Sequence, residues 1–229
     1  MLARQIERLQ RCSSLNDLVV ATSDDSSDDE LESLCQNLNV SCYRGSLDDV
    51  LNRFVEAARP FQPDVIVRLT GDCPLADPEL IDQIVNKFLS SNVDYLSNCE
   101  PATYPDGLDV EVTWYKLLEQ ANREAELPSQ REHVTPYIRK QPDRFHIENY
   151  SSSEDCSNLR WTVDEPEDFE FVSKVYEYLY PTNPTFTTND VLTLLKKYPE
   201  LNFINNQFKR NEGSQKSLEA DLKFSKGKK

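Results

Sequence analysis

The chain has five glycines in 229 residues, two histidines and a single methionine. None of the glycines falls in a G-x-G-x-x-G or Walker-type loop, so neither common glycine-rich phosphate cradle is present. Two histidines scarcely furnish a zinc site or a histidine-based triad, and no G-x-S-x-G occurs. Positive charge is scarce: 25 Lys and Arg stand against 40 Asp and Glu, a net charge of -15. That balance excludes a nucleic-acid partner held by a broad basic face. It leaves nucleotides open, because a divalent ion can bridge carboxylates to phosphate oxygens. No run approaches the roughly 18 apolar residues of a membrane span. The opening MLARQIERLQ is amphipathic, with neither an apolar core nor a cleavage site, so no secretory signal and no membrane association are expected. Six scattered cysteines without a C-x-x-C pair read as reduced thiols in a cytoplasmic protein.

Against these absences, short β-branched runs alternate with helical periodicity, the pattern of βα units. Strands are expected near 17–23, 40–44, 65–71, 95–98, 109–114, 145–150 and 160–164. Val65-Ile66-Val67 reads as a central strand covered on both faces. Asp77-Pro78 opens a helix whose stripe is Leu80, Ile81, Ile84, Val85, Phe88 and Leu89. Glu165-Pro166 opens another, with Phe169, Val172, Val175, Tyr176 and Leu179 on one face. Ser26 or Ser27 is expected to cap a helix after the first strand, and Asp190 to cap 191–198. The expectation is one α/β domain over 1–212, a Rossmann-like, mostly parallel sheet flanked by helices, with a flexible charged tail at 213–229.

Two segments carry the chemistry. RLTGDCPLADP delivers Asp72 after a hydrophobic strand, where ligands of an open parallel sheet sit, and Gly71 permits close backbone approach. LRWTVDEPEDFEFV delivers Asp164 just before a proline-initiated helix, with Glu167 and Asp168 read as favourable charge at the helix N-terminus. Two such carboxylates suit Mg²⁺, which one or two carboxylates, phosphates and waters satisfy. A turn that Asp72 merely caps is the plainer alternative for the first segment.

TGDCPL and TVDEPEDFE resemble the paired signatures of the sugar cytidylyltransferases of the CMP-Kdo and CMP-sialate synthetase type. YPDGLDVEV, REHVTPYI, VVATSDD and RGSLDDVLNRF resemble the branch of the spore coat polysaccharide biosynthesis protein SpsF. The resemblance covers nearly the whole chain. It implies a GT-A-like nucleotide-diphospho-sugar transferase fold and Mg²⁺-dependent transfer from CTP to a sugar or sugar acid for surface polysaccharide biosynthesis, releasing pyrophosphate. Asp72 and Asp164 match the family's metal ligands and so its catalytic carboxylates. Thr22, Asp24, Arg44, Gly45, Ser46, Asp49, Arg53 and Gly71 fall on the nucleotide side. Asp106, Gly107, Asp109, Glu111, Arg131, Glu132 and His133 fall on the acceptor-sugar side. Asp109 and Glu111 share a strand face by period two, equally consistent with a solvated face, and His133 is open to a structural role. His146 reads as structural. A homodimer follows by analogy.

The sequence departs from that family at its start. Relatives open with a strand and a basic loop of the type A-R-x-x-S-x-R-L-P-G-K, and Met1-Leu2-Ala3-Arg4 resembles the helix after it. The expected sheet therefore lacks its first strand. A non-catalytic or truncated relative that binds a nucleotide or partner is the second reading. A GT-A-like glycosyltransferase is the third, distinguished by turnover of UDP-sugars without pyrophosphate release from CTP.

Overall fold

The computed structural model describes residues 1–208, 210 and 221–224. Six strands occur among them: β1 Val19–Ser23, β2 Ser41–Gly45, β3 Val65–Arg68, β4 Tyr95–Ser97, β5 Glu111–Trp114 and β6 Ile147–Asn149. The helices are α1 Leu2–Leu9, α2 Asp29–Asn37, α3 Val50–Ala58, α4 Pro78–Ser90, α5 Tyr115–Glu124, α6 Pro128–His133, α7 Pro136–Arg139, α8 Pro166–Leu179 and α9 Thr188–Lys197.

The strands form two sheets. β1 and β2 pair in parallel, and the second sheet has the order β3-β5-β4-β6. β5 runs antiparallel to both its neighbours, while β4 and β6 are parallel. Three of the four strands thus share a direction and β5 reverses. β3 is an edge strand of its sheet, not a central one, and Val65, Ile66 and Val67 are only half-buried. The segment 160–164 is not a regular strand; it joins the fold through an isolated parallel bridge between Asp106 and Arg160.

Period-two alternation sends side chains to two cores. Val65, Val67, Leu96 and Val112 meet α4, α8 and α9 through residues such as Ile81, Phe88, Phe171, Val175 and Leu194. Ile66 and Tyr95 meet Leu51, Val55, Leu118, Ala121 and Ile138 from α3, α5 and α7. Helices therefore cover both faces of the four-stranded sheet.

Helix starts follow their chemistry. Asp77 accepts the Glu79 N–H at 3.0 Å as the cap of α4. A reciprocal capping box between Glu165 and Asp168 starts α8. In α8 the buried aromatic is Phe171, not Phe169, which is 55% exposed, and Leu89 likewise faces outward from α4. The turn before α2 is capped by Asp25, which accepts the Ser27 N–H. Thr187 caps α9, with Asp190 as the return partner three residues in. An acidic side chain serves at each of these starts because a carboxylate accepts the free N–H groups and favours the helix dipole. Of the expected tail, residues 221–224 are helical, and Asp221 accepts both the N–H (2.9 Å) and the hydroxyl (2.6 Å) of Ser129 at the start of α6. The rest of 213–229 lies outside the described residues. All six cysteines are free thiols. Among the described residues, no helix is long and apolar enough to cross a membrane.

Candidate active site

The loop after β3 and the segment before α8 meet through the backbone. The Val163 N–H donates to the Asp72 carbonyl at 2.9 Å, so two motifs about ninety residues apart in sequence are locked side by side. Asp72 is half-buried and Asp164 exposed, so both carboxylates are within reach of solvent and of a ligand. The Cys73 thiol lies 3.4 Å from Asp72 Oδ1. Gly71 beside them is exposed, and a Cβ built there would meet nothing within 4 Å.

The turn Pro105-Asp106-Gly107 completes the group. Asp106 donates its N–H to the Leu159 carbonyl at 2.9 Å and accepts from the Trp161 N–H at 2.6 Å. Gly107 has φ +102, and a Cβ there would lie 2.5 Å from the Thr162 nitrogen. Only glycine allows the turn to press this closely on 161–162. Asp106 is thereby brought to the segment that carries Asp164.

Two guanidiniums hold the acidic group together. Arg160 Nε and Nη2 donate in a fork to Asp168 at 2.9 and 2.8 Å, Nη2 also reaches Asp164 at 2.8 Å, and Nη1 is 3.5 Å from Asp106. Arg210 pairs with Asp109 and lies 3.8 Å from Asp106. Burial pushes the Asp106 carboxyl up to about 6, with Arg210 and Arg160 opposing and Asp109 adding to the rise. Burial raises Asp109 as well, against the pull of Arg210. Asp168 moves the other way. Burial raises its pKa, but donors from Arg160, Asn205 and the Asp164 and Glu165 N–H groups outweigh it and hold the carboxyl low. Asp168 is fully buried, so it anchors the motif and does more than add charge to a helix N-terminus.

Both metal candidates offer hard oxygen donors on adjoining loops, a donor set that fits Mg²⁺. Among the described residues, no group of three or more His, Cys, Asp or Glu side chains is arranged to hold a metal ion. Two carboxylates with phosphate and water completing the shell are within what Mg²⁺ accepts.

The remaining candidates lie in separate groups. Thr22 is buried and donates its hydroxyl to Asp28 at 2.7 Å, beside Ser23. Asp24 is exposed and ties β1 to β2 through its N–H to the Gly45 carbonyl. Arg44 donates to the Ser23 and Asp25 carbonyls and to Asp29 and Glu32, so its guanidinium is engaged within β1, β2 and α2. Arg53 reaches back to the Ser46 carbonyl at 3.0 Å. Asp49 caps α3 and pairs with Arg131 at 2.5 Å, which also holds Asn122. That pair joins a residue expected on the nucleotide side to one expected on the acceptor side.

Glu111 is buried and serves a different network from Asp109. It pairs with Arg68 and accepts the hydroxyls of Tyr95 and Thr135. Burial raises its pKa, yet Arg68, Thr135 and Tyr95 hold it below the usual value. His133 sits two residues from Thr135, its pKa lowered by burial, with Glu132 acting against that. Between them Val134 has φ 72 and ψ -56, and the Thr135 N–H donates to the His133 carbonyl at 2.9 Å. This is a γ-turn of the rare, strained kind at a β-branched residue, next to three acceptor-side candidates. His146 is exposed; its Nδ1 lies 2.6 Å from the Asn92 carbonyl.

Sequence reasoning missed Arg160, Arg210, Arg68 and the structural use of Asp168. Arg160 had one signal: it lies four residues before Asp164, in the same motif. Arg68 had the same signal, four residues before Asp72 in RLTGDCPLADP, but its partner is 43 residues away; Arg210 had none, its partner being 101 residues away.

A family model described as "Cytidylyltransferase" matches residues 1–208. The uncharacterized protein MJ1063 of Methanocaldococcus jannaschii is 35% identical over 207 residues, 90% of this chain and 83% of its own. The spore coat polysaccharide biosynthesis protein SpsF of Bacillus subtilis is 35% identical over 192 residues, 81% of this chain and 77% of its own. A solved cytidylyltransferase from Leptospira borgpetersenii serovar Hardjo-bovis superposes with a TM-score of 0.83 at 33% identity, covering 88% of this chain and 84% of that one.

Proposed function

The chain belongs to the cytidylyltransferase family, and from that premise we propose that it transfers the cytidylyl group of CTP to a hydroxyl of a sugar or sugar acid, with Mg²⁺ held by Asp72 and Asp164. The observation that carries this reading is the 2.9 Å backbone bond from Val163 to Asp72, which sets the two aspartate motifs against each other at one end of the sheet. The acceptor hydroxyl oxygen forms a bond to the α-phosphorus as the bond to pyrophosphate breaks in line, and the hydroxyl proton is lost. When bound, the ion supplies charge neutralisation at the phosphates.

The protein's part is positioning and charge. Arg160 fixes the carboxylate of Asp164 while itself locked onto Asp168. Asp106 and Asp109 flank that group and suit hydrogen bonds from acceptor hydroxyls, and the bare backbone at Gly71 leaves room for a phosphate. The likeness to SpsF supports an acceptor used in surface polysaccharide synthesis. Six free thiols support a reducing, cytoplasmic setting. A homodimer belongs to the reading.

Pyrophosphate release, measured across four nucleoside triphosphates and a panel of sugars and sugar acids, tests it. The expected result is release with CTP and Mg²⁺ on one acceptor class, lost in Asp72→Asn. Turnover of the Asp72→Asn protein at the native rate would remove the metal assignment.

A further inference from the structure

α1 buries two polar side chains on one face. Gln5 and Arg8 are 2% and 3% exposed, and three residues apart in a helix they are neighbours. Both donate to main-chain carbonyls of the loop between β3 and α4: Gln5 Nε2 to Thr70 at 2.7 Å and Arg8 Nε to Ala76 at 2.7 Å. A third donor comes from α8, where the Tyr176 hydroxyl reaches the Pro74 carbonyl at 2.8 Å. Asp72 lies inside the span that these three bonds hold. The Phe186 ring packs two of the donors together, 4.3 Å from the Arg8 guanidinium carbon and 5.3 Å from the Tyr176 ring.

For stability alone these are poor residues to bury in a helix. Gln5 Oε1 and Arg8 Nη1 are buried without a hydrogen-bond partner. Burial lowers the Arg8 pKa, with Tyr176 opposing. An unpaired buried polar atom costs free energy, and an apolar side chain of similar volume often replaces a buried charge without loss. Met at either position would leave no orphan atom, but it could not hold a carbonyl. Nor are these donors needed to anchor α4. Asp77 does that, its Oδ2 accepting the N–H and the hydroxyl of Thr188 at 2.7 and 2.5 Å. The three donors therefore act on the path of the loop.

We propose that Gln5, Arg8 and Tyr176 are positioning residues for Asp72, fixing the path of 70–76 so that its carboxylate stands beside the 163–164 segment. They act through Asp72 and not on the ligand, and the inference rests on the role given to Asp72 in the proposed function.

The test is amide hydrogen exchange on the free, full chain. Gln5→Met and Arg8→Met keep the volume while removing one bond to the loop and one unpaired atom; Tyr176→Phe removes only the hydroxyl and keeps the test decisive where a change in α1 perturbs the fold. The reporter is the Val163 N–H, which donates to the Asp72 carbonyl, against the amides of β5, the strand bonded on both sides. In each variant the Val163 amide should exchange about tenfold faster, the equivalent of one hydrogen bond, while the β5 amides and the melting temperature keep native values. Because no ligand is present, this result decides the positioning separately from whether CTP is the substrate. Calorimetric titration of CTP at stepped Mg²⁺ concentrations adds a readout that a merely structural role would not move: the Mg²⁺ needed for half of the binding should rise about tenfold. An unchanged Val163 amide, acceleration shared equally by β5, or a native Mg²⁺ requirement would overturn the proposal.

Discussion

Replacing Asp168 with Ala should be the most damaging single change at the site, although this residue touches no substrate in the proposed reaction. Its carboxylate accepts five hydrogen bonds: two from Arg160, one from Asn205, and one each from the backbone of Asp164 and Glu165. Breaking a buried ion pair from one side costs roughly 3–5 kcal/mol; here the buried Arg160 loses its two-bond fork and keeps Asp164 at 2.8 Å and Asp106 at 3.5 Å, which places the cost at the lower end. The lost cap of α8 adds about 1 kcal/mol. Against a total stability of about 5–15 kcal/mol, that is a large fraction. Urea unfolding by circular dichroism should show a loss of about 4 kcal/mol, and the melting temperature should fall by about 10 °C or more. Asp168→Asn keeps the shape and part of the bonding and should lose less. The folded carboxyl is held below its free value of 3.8. Its stabilisation is therefore complete above pH 3.8 and fades as pH falls through the lower folded value, so the two proteins should converge in acid. A loss below about 1 kcal/mol at pH 7 would refute the inference that this pair anchors the motif.

Asp106 should behave in the opposite sense. Its folded carboxyl titrates at about 6 against 3.8 when free, so the unfolded chain ionises first and stability falls as pH rises from about 4 to 7. The full shift corresponds to about 3 kcal/mol, and Asp106→Asn should flatten that part of the pH profile of urea unfolding; parallel profiles would contradict the burial argument. Gly107→Ala should destabilise by at least about 2 kcal/mol, since the new Cβ meets backbone 2.5 Å away at a positive φ. A melting temperature unchanged in Gly107→Ala would show that the turn relaxes.

Much of the fold was legible because the signals were local. Asp77-Pro78 and Glu165-Pro166 start α4 and α8 where the cap chemistry puts them. Strand positions were found to within a few residues, since β-branched runs mark them. What failed was pairing. The run Val65-Ile66-Val67 has the composition of a central strand, but composition does not reveal which edge lacks a neighbour. Residues 160–164 look like a strand and instead form a single bridge, because Gly107 brings Asp106 against Arg160. At the site, the adjacency of Asp72 and the 163–164 segment was anticipated from motif likeness; the arginines that organise it were not. Arg68 opens the Asp72 motif, but its partner Glu111, like the Asp109 partner of Arg210, is far away in sequence, and nothing local distinguishes Arg210 from a solvated cation. Glu111 shared an alternation with Asp109, yet its burial and its bond to Arg68 give it a different network.

In the proposed reaction Asp72 and Asp164 together hold the Mg²⁺ through which CTP binds. Calorimetric titration of CTP into the protein, with Mg²⁺ or with EDTA, tests it without requiring turnover. The expected result is binding with Mg²⁺, loss of most of that affinity in EDTA, and the same loss in Asp72→Asn and in Asp164→Asn. CTP affinity that is unchanged by EDTA and by both substitutions would contradict it.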